Sequence, residues 1–152
     1  MSSLHKPGIF FNFVEVGFWN ISGIFYKVGS TKYSKLNEDE FLATISHLDI
    51  LCIAESHIGQ NEENIEIDGF DHFLSCRTVS NNNRFFGGLA IYIKKILHPG
   101  IKLVKSNNPE IAWLKADRNF FGLEKDTYIS FVYMPPHNSS YLQRTRQESS
   151  SL

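Results

Sequence analysis

The chain has 152 residues, of which 42% are hydrophobic and 20% charged, and its formal net charge is -1. A chain of this length corresponds to one domain, and this composition excludes a disordered or collagen-like protein. The near-zero net charge provides no global attraction to nucleic acid or to an acidic membrane. The aromatic fraction of 14% predicts that many rings must be buried.

The longest apolar stretch, Gly8–Tyr26, is interrupted by Asn12, Glu15 and Asn20. Too few consecutive apolar residues remain to predict a membrane-spanning helix. Glu15 also interrupts the apolar run that a signal peptide needs, and no cleavage pattern follows. An intracellular protein with no membrane partner is therefore expected.

The two cysteines say little about the compartment, and a reducing one is the default expectation. Cys52 lies within an apolar run and is predicted to be a buried free thiol, whereas Cys76 lies in a polar stretch. A disulfide between them stays open, because sequence does not give the distance that such a bond requires. No Cys/His spacing typical of a zinc site occurs.

The first half of the chain has the pattern of a β-α-β unit. Apolar residues predict a buried strand over Asn12–Asn20, and a polar loop follows over Gly29–Asn37. Helical spacing of apolar residues, with acids in the first turn, predicts a helix over Glu38–His47. The continuous apolar run Asp49–Ala54 predicts a strand buried on both faces. This order implies a parallel strand pair in an α/β fold.

The second half is rich in strand patterns. Alternating or β-branched residues predict five more strands, at Asp71–Ser75, Gly88–Lys94, Lys102–Lys105, Ile111–Ala116 and Thr127–Tyr133. Trp113, inside one of them, is predicted to be a core residue. The expected organisation is a lead at residues 1–9, one domain over residues 10–143, and a polar, disordered tail at residues 144–152.

Asn20, Glu55 and Tyr133 each stand at the carboxyl end of a predicted strand. In open α/β sheets, ligands gather at these ends. Taken singly, each residue has an ordinary structural interpretation: Asn20 as a turn residue, Glu55 as a solvated acid, and Tyr133 as a half-buried strand residue. Taken together, they are candidates for one site.

Five segments in chain order resemble motifs of the endonuclease/exonuclease/phosphatase family. Within that family they are most similar to the endonuclease domains of non-LTR retrotransposons. Trp19–Gly23 resembles the family's strand-end W-N-x-x-G, and Asp49–Ile58 resembles its apolar strand ending in Glu. Ile67–Phe70 resembles its I-x-G-F/Y element. Gly87–Lys94 resembles its G-G-x-A-I-Y strand, and Val132–Pro136 resembles its Y-x-P element.

The resemblance implies a magnesium-dependent phosphodiesterase site. Glu55 would bind Mg²⁺, which often uses one or two carboxylates and leaves its other positions to water and substrate phosphate. Asn20 would hydrogen-bond near the metal and phosphate. The Tyr133 hydroxyl would stabilise charge beside the scissile phosphate. The implied partner is DNA.

Three more residues are candidates for contacts with substrate. Arg77 and Arg84 flank the polar loop before Gly87, and His57 follows Glu55 by two positions. Solvated loop arginines are the alternative interpretation of the first two. A surface or supporting role is the alternative for His57.

The chain departs from the family pattern after Pro136. The family's later G-D-F-N and S-D-H motifs have no counterpart here, since no Asp follows Pro136. The resemblance therefore predicts the N-terminal half of a four-layer α/β sandwich, mainly one mixed sheet with a helix on one side. The second half of the sandwich would be missing.

In the family, the G-D-F-N motif supplies an Asp that activates water and the S-D-H motif supplies a histidine. A site without these two groups lacks most of its catalytic parts, so the chain alone is expected to be inactive. An uncovered sheet face would also favour self-association. The alternatives are a phosphatase or phospholipase of the same family, and a non-catalytic interaction fragment.

Overall fold

The computed structural model describes residues 13–76 and 85–136. Two α-helices and nine strands occur in this part of the chain. In chain order they are β1 (Val16–Asn20), β2 (Phe25–Val28), β3 (Thr31–Ser34), α1 (Asp39–Ile45), β4 (Ile50–Ala54), β5 (Phe70–Ser75), β6 (Leu89–Lys94), β7 (Ile101–Val104), β8 (Ile111–Ala116), α2 (Arg118–Phe121) and β9 (Thr127–Val132).

The first sheet is mixed and has the strand order β1-β4-β6-β5. β1 and β4 run parallel, as the predicted β-α-β unit requires, and β6 is antiparallel to both β4 and β5. The expected α/β fold with a mixed sheet is therefore confirmed. β4 and β6 are central, and nearly every residue in them is buried, as expected for strands covered on both faces.

One face of this sheet packs against α1 and the loops around it. Leu51 and Ile53 of β4 and Tyr92 of β6 share a core with Phe41 and Ile45 of α1. Tyr92 is fully buried, and its hydroxyl donates to the Ile65 carbonyl at 2.8 Å. The buried polar group therefore has a partner, as buried hydroxyls usually require.

The opposite face packs against a second sheet of three antiparallel strands in the order β7-β8-β9. Ile50 and Cys52 of β4 and Ile91 of β6 meet Leu114 of β8 and Phe131 of β9 in a second core. Because side chains alternate along a strand, β4 contributes to both cores. The expectation of mainly one sheet, with an unpartnered second face, is wrong for this chain.

Trp113 is also not a core residue. Its neighbours Ala112 and Leu114 point into the second core, so Trp113 points outward and is 42% exposed. A strand covered on one face alternates in this way. The outer face of the second sheet therefore exposes Trp113.

Two further differences concern local structure. The predicted loop Gly29–Asn37 contains β3, which pairs with β2 as a hairpin, and a turn of 3₁₀ helix at Lys35–Asn37. The first strand begins at Val16 rather than Asn12, and α1 ends at Ile45 rather than His47. The remaining predicted strands occur within one or two residues of the expected bounds.

Cys52 is a buried free thiol, as predicted, and Cys76 is also free and buried. Burial raises the pKa of the Cys52 thiol far above its ordinary value, because a thiolate is poorly solvated there. In residues 13–76 and 85–136, none of the helices has the length and apolar character needed to cross a bilayer.

Candidate functional site

The candidate residues lie at one end of the two packed sheets. Asn20 ends β1 beside Ala54 of β4, and Glu55 follows Ala54 directly. Tyr133 follows β9 in the second sheet. The ends of three strands from two sheets thus meet, as the predicted gathering of strand ends requires.

Glu55 and Tyr133 are in direct contact. The Tyr133 hydroxyl donates a hydrogen bond to Glu55 Oε1 across 78 residues of sequence, and the pair is partly buried. Hydrogen bonds to an ionised carboxylate are short and strong. A carboxylate accepts about four contacts through its two oxygens, so this bond leaves Glu55 capacity for a cation.

Asn20 takes a different role in the geometry. Its side-chain Oδ1 accepts a hydrogen bond from the Ser22 amide at 3.0 Å, which is the local turn that asparagine commonly forms. Its side chain is exposed. Asn20 therefore borders the Glu55–Tyr133 pair, and the turn it closes leads the chain away from β1.

The backbone at Glu55 is unusual. Glu55 and His57 both lie in the left-handed region, with φ of 52° and 54°, where residues other than glycine cost about 1–3 kcal/mol each. Four backbone hydrogen bonds hold this segment: the Gly23 and Ile24 amides donate to its carbonyls, and its amides donate to the Gly87 and Gly88 carbonyls. The segments at Gly23–Ile24 and at Gly87–Gly88 therefore hold Glu55 in this backbone conformation.

His57 is held by the same segment. Its Nδ1 accepts a hydrogen bond from the Gly87 amide at 2.9 Å, which requires Nδ1 to be unprotonated. Burial lowers the pKa of His57, the Lys35 charge lowers it further, and the Glu55 charge opposes both. His57 is therefore a neutral residue that anchors the Gly87–Gly88 turn.

Glu110 is a functional candidate that the sequence did not reveal. Its side chain is only 6% exposed, and its carboxylate accepts from the Gly88 amide at 3.3 Å. The Tyr133 amide donates to the Glu110 carbonyl at 2.9 Å. Glu110 therefore links the turn beside His57 to the residue that contacts Glu55. Nothing in its local sequence marks it, since it lies in a loop before β8.

In the part of the chain that the structure describes, Glu55 is a lone carboxylate at this place and not part of a closed set of metal ligands. Across the described ranges no group of three or more His, Cys, Asp or Glu side chains is arranged to hold a metal ion. A single carboxylate still fits Mg²⁺, because this ion keeps several water ligands and shares others with substrate phosphates.

Arg77 and Arg84 lie outside the described residues. No known family model matches the chain, and a search of curated proteins returns no match.

Proposed function

We propose that this chain is a domain of the magnesium-dependent phosphodiesterase type, similar to nucleic-acid endonucleases, with its site at Glu55 and Tyr133. The observation that carries the proposal is the hydrogen bond from Tyr133 to Glu55. The two residues follow strands of different sheets and belong to two separate motifs that resemble the endonuclease/exonuclease/phosphatase family. If the two segments resembled the family only by chance, there would be no reason for Glu55 and Tyr133 to lie in contact.

The roles follow from the chemistry of the two groups. Glu55 would hold the cation, and Mg²⁺ bound there would polarise a phosphoryl oxygen and neutralise negative charge. The Tyr133 hydroxyl has a single proton, which it donates to Glu55, so it would donate to a phosphate oxygen beside that carboxylate by exchanging one acceptor for the other. Asn20 would contact the phosphate at the rim of the site.

The same residues do not complete a hydrolytic reaction. Attack by water on a phosphodiester needs a positioned base, and general acid–base assistance contributes about 10²–10⁴-fold. His57 is not a substitute, because its Nδ1 accepts the Gly87 amide and it anchors a turn. We propose that the chain by itself binds a divalent ion weakly and is catalytically inactive, in a cytoplasmic or nuclear setting where DNA is the substrate class.

Manganese titration tests the metal role directly. Mn²⁺ binding, followed by electron paramagnetic resonance on the whole chain, is expected to weaken about tenfold or more in Glu55→Gln, which keeps the shape of the side chain but removes its charge. Glu63→Gln is the matched control, since Glu63 is an exposed acid outside the site. Equal affinity of the wild-type chain and Glu55→Gln would contradict the proposal.

Activity is tested separately by incubating the chain with Mg²⁺ and supercoiled plasmid, and with phosphoinositide and sphingomyelin substrates. No turnover is expected with any of them. Nicking of the plasmid that disappears in Glu55→Ala would overturn the proposed inactivity while supporting the site. Turnover of a lipid headgroup that disappears in the same variant would overturn the assignment to nucleic acid.

A further inference from the structure

Within residues 13–76 and 85–136, β1 is an edge strand of the first sheet. Among the described residues it pairs only with β4. Glu15 accepts hydrogen bonds from the Asp49 and Ile50 amides, and the Ile21 amide donates to Ala54. Because successive residues of a strand direct their backbone groups to opposite sides, the odd-numbered residues face β4. The amides and carbonyls of Val16, Phe18 and Asn20 therefore face outward.

This edge also lacks the charges that usually protect sheet edges. Edge strands commonly carry lysine or other charged residues that prevent pairing with another chain. The other outer strand of the first sheet, β5, contains Asp71, and β7 contains Lys102. β1 contains no charged residue, and neither does β9. β9 lies on the same side of the molecule, since Phe18 stacks on Phe131 with ring centroids 6.3 Å apart.

The side chains around β1 are apolar and partly uncovered. Phe13, Val16, Phe18 and Trp19 are 73%, 43%, 48% and 38% exposed. With about 200 Å² for a whole aromatic side chain, the three rings alone leave about 300 Å² uncovered. Together with Val16 and the six outward backbone groups, this is a substantial part of the roughly 800 Å² per partner in a stable interface.

We propose that β1 pairs with β1 of a second copy of this chain, antiparallel and about a two-fold axis at Phe18. This register places Phe18 opposite Phe18 of the other copy and Val16 opposite Asn20. All six outward groups then find partners, because the two residues of a hydrogen-bonded antiparallel pair exchange both bonds. The interface uses the same surface on both copies and closes without leaving a further edge at β1.

Disulfide trapping tests the register. A Phe18→Cys variant of the whole chain would bring two Cα atoms to about 5.5 Å, inside the range of about 4.4–6.8 Å that a disulfide tolerates. We expect a covalent dimer under mild oxidation. Val28→Cys is the matched control because Val28 is an exposed strand residue, 62% accessible, in the β2–β3 hairpin. It is expected to form at least tenfold less dimer.

Light scattering with size-exclusion chromatography gives the second measurement. The wild-type chain is expected to have the mass of a dimer, and Phe18→Lys to dissociate at least tenfold more readily, while Val28→Lys stays like wild type. Circular dichroism establishes that each variant is folded. A wild-type monomer at every concentration tested would overturn the proposal. A dimer that Phe18→Lys leaves unchanged would also overturn the proposal. So would a dimer in which Phe18→Cys does not cross-link.

Discussion

At the residue scale, the site depends on a short segment whose backbone conformation is unfavourable by itself. Glu55 and His57 are both left-handed, and the bonds that hold them come from segments distant in sequence, around Gly23 and Gly87. Such strain persists where the surroundings enforce it, and it is common at functional sites. The position of the Glu55 carboxylate therefore depends on residues that do not contact it.

His57 gives this arrangement a measurable pH dependence. Its pKa in the folded protein is lowered, chiefly by burial, so the unfolded chain takes up a proton at His57 more readily. Its contribution to stability is present above the ordinary histidine pKa of about 6.5 and is lost as the pH falls through the lower folded value. We expect the urea midpoint to fall on acidification, and to fall less in His57→Gln.

The difference between the two pH profiles isolates His57, because the other five histidines of the chain are present in both proteins. Parallel profiles would show that the bond from the Gly87 amide does not require neutral His57.

The sequence predicted part of this site. Glu55 and Tyr133 were singled out as strand-end residues and they are in contact, but the contact joins two different sheets rather than neighbouring strands of one sheet. The local turn at Asn20 was one of the expected alternatives, whereas the burial of Glu110 depends on tertiary contacts. No periodicity in the sequence encodes such contacts.

At the element scale, the β2–β3 hairpin forms in a segment predicted to be a loop, although its turn has a sequence signal. Val28 pairs with Thr31, so Gly29 and Ser30 form a two-residue loop, and Gly followed by Ser is a known hairpin signal. Polar residues such as Lys27 and Lys32 on both sides of this turn are typical of a loop, so the segment was predicted as one. The strands are largely exposed, so their burial pattern lacks the alternation that indicates a core strand.

The loop of this hairpin depends on Gly29, whose φ is 62°. Nothing lies within 4 Å of a Cβ added there, so Gly29→Ala tests the backbone conformation without a steric clash. We expect a loss of about 1 kcal/mol, because left-handed backbone is unfavourable for residues with a Cβ. Urea unfolding measures it.

Ser30→Ala is the control for the hairpin, since Ser30 is not among the positive-φ residues. Equal urea midpoints for Gly29→Ala and the wild-type chain would mean that the hairpin contributes nothing to the cooperative structure.

At the scale of the whole molecule, the second sheet changes what the chain can do. Its strands were predicted, but their packing was not, since a sequence pattern identifies the apolar face of a strand without identifying what covers it. The two cores share β4 and β6, which contribute neighbouring residues to opposite faces. Glu55 follows β4, and Tyr133 follows β9, which packs against β4 and β6 in the second core. This packing therefore brings the two site residues together.

The shared strands predict that both layers unfold together. The two tryptophans report on separate layers: Trp19 stacks on Phe41 of α1 at 5.4 Å, and Trp113 lies in the second sheet. We therefore compare Trp113→Phe, which retains Trp19, with Trp19→Phe, which retains Trp113. Within each variant, the fluorescence midpoint in urea is expected to coincide with that from far-ultraviolet circular dichroism, as a single cooperative transition requires. An earlier fluorescence transition in the variant that retains Trp113 would mean that the second sheet separates first. Tyr133 would then leave Glu55 before the first sheet unfolds.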